Sequence, residues 1–411
     1  MSHPSDPPPP PPSPWSPPSG GTPRTDGPPP SGDAPRTDGP PPSPWAQPGS
    51  PWQTGQPGGP WQPGQPGHAQ PGGQGWGRPP EWSRPPEWSR RRPGGARTGP
   101  AAGVEPPPAG PVRAPSGSRY DEQGRNGHGG RFGWIGELSA VGGLVLLAVM
   151  VVGIAGIVLA ELLDAAPTDP DSDAFFEDPV ADLVIQLVGI AIAIPIVLGG
   201  ARVLGRRPAG TVSSVAGRLR WGWLGRCAAV GFPLMVLQIG LLIAWTWNDE
   251  PIGESGSGFP GWPVFLLSLT VILALVPFQA AAEEYVFRGW LVQVIGRVAR
   301  TPWPAVAVAS LLFALAHGFG ELSGFLLLLY SALWWGWLVI RTGGLEAVIV
   351  MHVANNLLAF GLAAGFGELA STETAADAPW QAMIAELVFA PLYCLTVARI
   401  ADRRGIERVS P

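Results

Sequence analysis

The chain has 411 residues, of which 45% are hydrophobic, and a formal net charge of −5. This near-balanced charge argues against a nucleic-acid-binding protein, because contact with the phosphate backbone requires a concentrated basic face. Two cysteines, Cys227 and Cys394, are too few for a thiolate metal cluster, and their apolar surroundings predict small buried residues. The basic side chains apart from histidine are all arginine, a bias typical of a GC-rich bacterial genome.

Residues 1–130 are a low-complexity region rich in Pro, Gly and Trp. The region contains a proline run at Pro7–Pro12 and a tandem RPPEWS at Arg78 and Arg84. Such a composition buries too little apolar surface to fold, so we predict a disordered, partly polyproline cytoplasmic tail. A solvated tail is the simpler interpretation, and a docking arm for Pro-recognising partners is the functional one.

Residues 131–411 are predicted to form a membrane domain, because they contain eight apolar segments suited to roughly 30 Å of hydrocarbon. The fourth segment is long and the fifth is short. The segments run from Trp134 to Leu163, Leu183 to Leu204, Cys227 to Trp247, Trp262 to Val294, Trp303 to His317, Leu322 to Ile340, Leu345 to Phe366 and Met383 to Ile400.

The loops between these segments alternate in charge. Arginines precede the first segment and follow the second, fourth, sixth and eighth, whereas the loops between them are acidic or neutral. Because arginine-rich loops stay on the cytoplasmic side, both termini are predicted to be cytoplasmic in a bacterial plasma membrane. The predicted fold is an all-α polytopic membrane protein, a bundle of about eight transmembrane helices with a disordered N-terminal tail.

Ionisable and polar residues are concentrated on three of the apolar segments. An ionised side chain in hydrocarbon costs at least about 2.5 kcal/mol, so such residues persist mainly where they are paired or functional. The residues concerned are Glu283, Glu284 and Arg288 on the fourth segment, His317, four residues after Phe313, on the fifth, and His352 and Asn356 on the seventh.

Spacing along each helix separates these residues by role. Positions four apart share a helix face, so Glu284 is expected to pair with Arg288, whereas the adjacent Glu283 points elsewhere without a local cation. His352 and Asn356 share a face in the same way. At a rise of about 1.5 Å per residue, Glu283 and His352 lie roughly 10 to 17 Å deep and His317 roughly 20 Å.

This set of groups suits peptide hydrolysis, which needs a base for water, donors for the oxyanion and an acid for the leaving amine. We predict Glu283 as the general base, with His317 helping to hold the water. His352 and Asn356 would stabilise the oxyanion.

The remaining polar and aromatic residues are given supporting or packing roles. Glu284 with Arg288 forms a supporting pair, and Phe313 is expected to pack, as are the tryptophans Trp334, Trp335 and Trp337. Glu346 and Glu386, close to helix ends, are expected to reach the cytoplasmic and outer interfaces respectively.

The three motifs EExxxR, FxxxH and HxxxN, in this order on separate apolar segments, resemble those of the CAAX protease and bacteriocin-processing family, also called the CPBP or Abi family of intramembrane proteases. The similarity covers roughly residues 265–360. The resemblance implies an intramembrane endopeptidase that cuts membrane-associated proteins or peptides, with the first Glu and the His of the second motif activating water.

The resemblance also bears on cofactors. Family members are often described as metalloproteases, but the sequence contains no HExxH and the family's glutamate-dependent mechanism needs no zinc, so no cofactor is expected. A zinc ion held by Glu283, His317 and His352 is the alternative, since a carboxylate and two imidazoles are adequate ligands. Prenylated substrates are not expected in a bacterium.

Two other classes of function remain open from the sequence. A proton-coupled transporter would also place Glu, Arg and His inside the membrane, although distributed over more helices. A non-catalytic scaffold would use the Pro-rich tail to recruit partners and would tolerate Glu283→Gln.

Overall fold

A computed structural model describes residues 110–128, 130, 132–169, 172, 174–247, 258–370 and 374–411. Across these residues the structure is all-helical and contains no strand, as predicted. Its α-helices, in chain order, are α1 Gly133–Leu162, α2 Pro179–Ala191, α3 Ala193–Val203, α4 Trp221–Thr246, α5 Trp262–Glu284, α6 Val292–Gly296, α7 Trp303–Ala316, α8 Leu322–Thr342, α9 Glu346–Phe366 and α10 Trp380–Arg404. A π-helix, Tyr285–Leu291, joins α5 to α6 without a break.

These helices account for the eight predicted segments. In the described chain, seven helical stretches are long and apolar enough to cross a membrane, and α7, with 14 residues, is the shorter eighth. α2 and α3 form the second segment together, and α5, the π-helix and α6 form the long fourth one. The chain is therefore a multi-pass membrane protein. At about 1.5 Å per residue α7 measures roughly 21 Å, less than the roughly 30 Å thickness of the hydrocarbon layer.

The outer surface of the bundle is apolar, as expected for a wall in contact with lipid. Leu146 and Leu162 of α1 are 73% and 78% exposed, and Phe278 of α5 is 60% exposed. Lipid tails are as apolar as leucine, so these side chains carry no penalty there. The helices associate instead through close packing and internal polar contacts.

α9 is the central helix of the bundle. All residues from Glu346 to His352 are buried, and the helix packs against α4, α5 and α8. Gly231 of α4 permits a close approach, because a Cβ there would lie 3.1 Å from Val350 and 3.2 Å from Tyr393. His352 therefore lies on a helix that is packed against neighbouring helices on several sides.

Two carboxylates that were expected at the membrane interfaces are buried instead. Glu346 is fully buried and forms two hydrogen bonds of 2.8 Å with the Arg220 guanidinium. Glu386 accepts a hydrogen bond from Gln238 at 2.8 Å and lies 2.6 Å from the Ser331 hydroxyl. The interface prediction was wrong for both residues, because polar partners on other helices satisfy them inside the bundle.

Glu137 is a third buried carboxylate, and it links α1 to the C-terminal end of α6. Glu137 bonds Arg207 at 2.7 Å and Arg297 at 3.1 Å, one through each carboxylate oxygen. Burial lowers the pKa of the Arg207 guanidinium, and the adjacent Glu137 carboxylate opposes this change. The contact fixes the end of the segment that carries Glu283.

Residues 110–128, which fall within the predicted tail, pack against the membrane domain. Tyr120 is fully buried and donates a hydrogen bond of 2.5 Å to the Val212 carbonyl. Arg125 donates to the carbonyls of Gly296, at 2.9 Å, and Ala299. The folded part therefore includes residues before the predicted boundary at 130, and the predicted disorder of residues 1–109 lies outside the described residues.

Candidate active site

The candidate site lies inside the bundle where α5, α7 and α9 meet. α5 ends with Glu283 and Glu284, and His317 is the C-cap of α7. α9 contributes His352 and, one turn later, Asn356. The π-helix begins directly after Glu284, and π-helical turns occur frequently at functional sites.

Glu283 occupies the centre of this cluster, with its two carboxylate oxygens in different environments. Oε1 accepts a hydrogen bond from Gln279 Nε2 at 2.5 Å. Oε2 is buried without a hydrogen-bond partner, 3.9 Å from His317 Nε2 and 3.7 Å from His352 Nε2. These separations are too long for direct hydrogen bonds. One oxygen is thus held in place by Gln279, and the other has no hydrogen-bond partner.

His317 presents a defined ring nitrogen to Glu283. Its Nδ1 lies 2.9 Å from the Phe313 carbonyl, which can only accept a hydrogen bond. Nδ1 therefore carries a hydrogen, and when the ring is neutral the Nε2 lone pair is directed towards the space beside Glu283. This arrangement allows His317 to accept a hydrogen bond from a water molecule there.

Glu284 faces away from Glu283 and binds two partners. Its Oε1 lies 3.0 Å from Arg288 Nη1 and 2.7 Å from His352 Nδ1. The predicted pair of Glu284 and Arg288 is present, with the carboxylate fully buried and the arginine 1% exposed. Glu284 also fixes the orientation of the His352 ring, a contact that the spacing along one helix did not predict.

Aromatic side chains enclose the buried guanidinium. The Arg288 guanidinium carbon lies 3.8 Å from the centroid of the Phe313 ring and 5.3 Å from that of Trp335. Cation–π contact of this kind is worth about 2 kcal/mol where water is excluded. Trp335 also approaches the His352 ring, with centroids 5.5 Å apart. Phe313 and Trp335, predicted as packing residues, therefore also form the wall of the site.

Gln279 and Asn355 complete a network that sequence reasoning missed. Asn356 Nδ2 donates to Gln279 Oε1 at 3.0 Å, and Asn355 Nδ2 donates to Asn356 Oδ1 at 3.1 Å. The spacing could have identified Gln279, because it lies four residues before Glu283 and therefore shares its helix face. A neutral amide in an apolar segment is a weaker indication of a functional site than a charged side chain.

All seven predicted site residues lie in this one cluster. The estimated difference in depth between His317 and the other two groups is absent, since Glu283 Oε2 lies within 3.9 Å of both imidazoles. The estimate failed because it took each helix as perpendicular to the membrane and started from uncertain helix ends. Tilt and end position together adjust the level of a side chain by several ångströms.

A metal ion has no obvious cage in this site. Among the described residues, no group of three or more His, Cys, Asp or Glu side chains has the arrangement needed to hold one. Glu283, His317 and His352, the alternative zinc ligands, are separated as given above. Metal independence stays a prediction.

One protein-family model matches the segment that carries this geometry. Residues 264–358 match the family described as type II CAAX prenyl endopeptidase, Rce1-like. The matched segment includes all three motifs, and it confirms the predicted resemblance.

Among curated proteins, the chain is 31% identical over 147 residues to the "Uncharacterized protein YyaK" of Bacillus subtilis strain 168. The aligned region covers 35% of this chain and 47% of that protein, so the chain spans about half the length of the curated relative it matches. No solved structure matches the chain.

Proposed function

We propose that the chain is an intramembrane endopeptidase in which Glu283 activates water for attack on a peptide bond. One observation carries this proposal. The buried Oε2 of Glu283 has no hydrogen-bond partner and faces the Nε2 atoms of His317 and His352. A buried carboxylate oxygen in that condition is suited to accept a proton from a water molecule held between it and a neighbouring imidazole.

In the proposed first step, Glu283 Oε2 and His317 Nε2 orient the water by accepting its two hydrogen atoms. The water oxygen attacks the carbonyl carbon of the substrate while one proton passes to Glu283. A tetrahedral intermediate with a negatively charged oxygen results. The Phe313 carbonyl keeps the lone pair of His317 directed at the water throughout.

Asn356 and His352 are assigned to the oxyanion. Asn356 uses one amide hydrogen for Gln279 and keeps the second available as a donor. His352 contributes when its Nε2 carries a proton, while Glu284 holds Nδ1 on the other side of the ring. In an apolar, water-poor surrounding such donors act more strongly than in bulk water.

In the last step the C–N bond of the substrate breaks and Glu283 returns its proton to the leaving nitrogen. The products are a new carboxyl terminus and a free amine, so the atoms of one water molecule are consumed. Glu283 ends each cycle ionised, as it began.

The proposed substrates are membrane-associated proteins or peptides, since the site lies between membrane-spanning helices. The alternating arginine content of the loops supports an orientation with both termini in the cytoplasm of a bacterial cell. The bacterial setting makes prenylated proteins poor candidates, so the substrate is a peptide segment without that lipid.

Cleavage is expected to continue in the presence of a metal chelator. The measurement uses purified protein in liposomes with a library of single-span reporter peptides of varied sequence, and mass spectrometry of the products. We expect equal rates with and without chelator and no cleavage by Glu283→Ala. Loss of activity in chelator, restored by added zinc, would replace the metal-free mechanism with the zinc alternative. Full activity of Glu283→Ala would exclude the glutamate mechanism itself.

A further inference from the structure

Gln279 connects two groups of the candidate site through a one-directional chain of hydrogen bonds. Asn355 donates to Asn356, Asn356 donates to Gln279, and Gln279 donates to Glu283. Gln279 is 5% exposed, so its bonds are protected from water. Both of its polar atoms are used within the site.

The carboxylate at the end fixes the direction of the whole chain. An ionised Glu283 can only accept, so Gln279 must present its amide nitrogen to Oε1. The Gln279 carbonyl oxygen then faces Asn356, which must present its own nitrogen. The orientation of two amide groups is therefore set by chemistry and not only by the positions of their atoms.

We propose that Gln279 is a positioning residue that holds Oε1 of Glu283 and leaves Oε2 as the single oxygen available to activate water. Gln279 also holds Asn356 with its second amide hydrogen free. This role rests on the proposed function. Terminal carboxylate torsions are broad, so without the amide the Glu283 carboxylate samples a wider range of torsions and the reactive geometry is populated less often.

Gln293, on the same continuous helix, is the matched control for Gln279. Gln293 is fully buried and also uses both polar atoms of its side-chain amide, but its partners are the Arg207 side chain and the Thr211 carbonyl, outside the site. Replacing either glutamine by methionine keeps the approximate volume and removes two hydrogen bonds. Both changes reduce stability, whereas only the change at Gln279 alters the site.

The test measures kcat and KM for Gln279→Met, Gln279→Glu and Gln293→Met in the liposome assay, corrected for the folded fraction. A hydrogen bond to a charged group corresponds to roughly a 10- to 100-fold effect. We expect kcat to fall by about that factor in both Gln279 variants, with KM changed by less than about 3-fold because Gln279 is buried behind Glu283. Gln293→Met should keep the wild-type kcat.

Gln279→Glu retains an acceptor for Asn356 and places a second carboxyl group against Glu283. Two carboxyl groups in contact share a proton, which reduces the capacity of Glu283 to act as a base. A wild-type kcat in both Gln279 variants would overturn the positioning role while leaving the proposed function intact. Equal losses of kcat in Gln279→Met and Gln293→Met would also overturn it, by reducing the effect to general destabilisation. Wild-type protein no more active than Glu283→Ala would instead remove the proposed function, and this role with it.

Discussion

Glu283→Gln is expected to reduce the rate of reporter cleavage by about 100- to 10,000-fold, the range contributed by a general base. The amide keeps the size of the side chain and can still accept a hydrogen bond from Gln279, but it cannot take a proton from water. The loss should appear in kcat, because substrate binding does not require the proton transfer. Single-turnover cleavage in liposomes measures the step directly.

The matched control is Glu386→Gln, which also changes a buried carboxylate to an amide. Glu386 lies among Gln238 and Ser331, away from the candidate site, and its replacement should leave the cleavage rate unchanged. A wild-type rate for Glu283→Gln would contradict the assignment of the base. Equal losses for both variants would assign the effect to general disturbance of buried carboxylates.

Glu284→Leu is expected to destabilise the protein by about 3 to 5 kcal/mol, because it leaves the Arg288 guanidinium buried without its carboxylate partner. Arg288 Nε and Nη2 already have no hydrogen-bond partner, so little compensation remains. The change also releases the Nδ1 of His352 and should lower kcat. Thermal unfolding in detergent and the cleavage assay measure the two effects separately.

The double variant Glu284→Leu with Arg288→Met distinguishes charge burial from site geometry. Removing both charges should recover much of the stability, since an apolar replacement of a buried pair is often neutral or stabilising. Activity should stay low, because His352 still lacks its partner. A double variant with full activity would show that Glu284 does not position His352, and one as unstable as Glu284→Leu would contradict the charge explanation.

Much of the candidate site could be predicted from the sequence because its chemistry is carried by spacing along single helices. The pair of Glu284 and Arg288 follows from the four-residue repeat, which also separates Glu283 from it. The membrane segments follow from length and hydropathy, since a lipid-facing wall needs apolar residues in long runs. These inferences require no knowledge of how the helices pack.

The features that escaped prediction depend on contacts between distant segments. Glu346 is buried because Arg220 reaches it from a separate segment, and Glu386 because α4 and α8 supply donors. The contact between Glu284 and His352 likewise joins residues of different helices. Hydropathy and spacing give the face of each helix but not its neighbour, so such partners become visible only in the packed structure.

The most direct test of water activation by Glu283 is a single-turnover cleavage in water labelled with oxygen-18. Attack by a water molecule predicts one labelled oxygen in the new carboxyl terminus of the reporter and none in the enzyme. Mass spectrometry of the product and of the Glu283 peptide measures both. An unlabelled product, together with label in Glu283, would indicate that the carboxylate attacks the substrate itself and would contradict the mechanism.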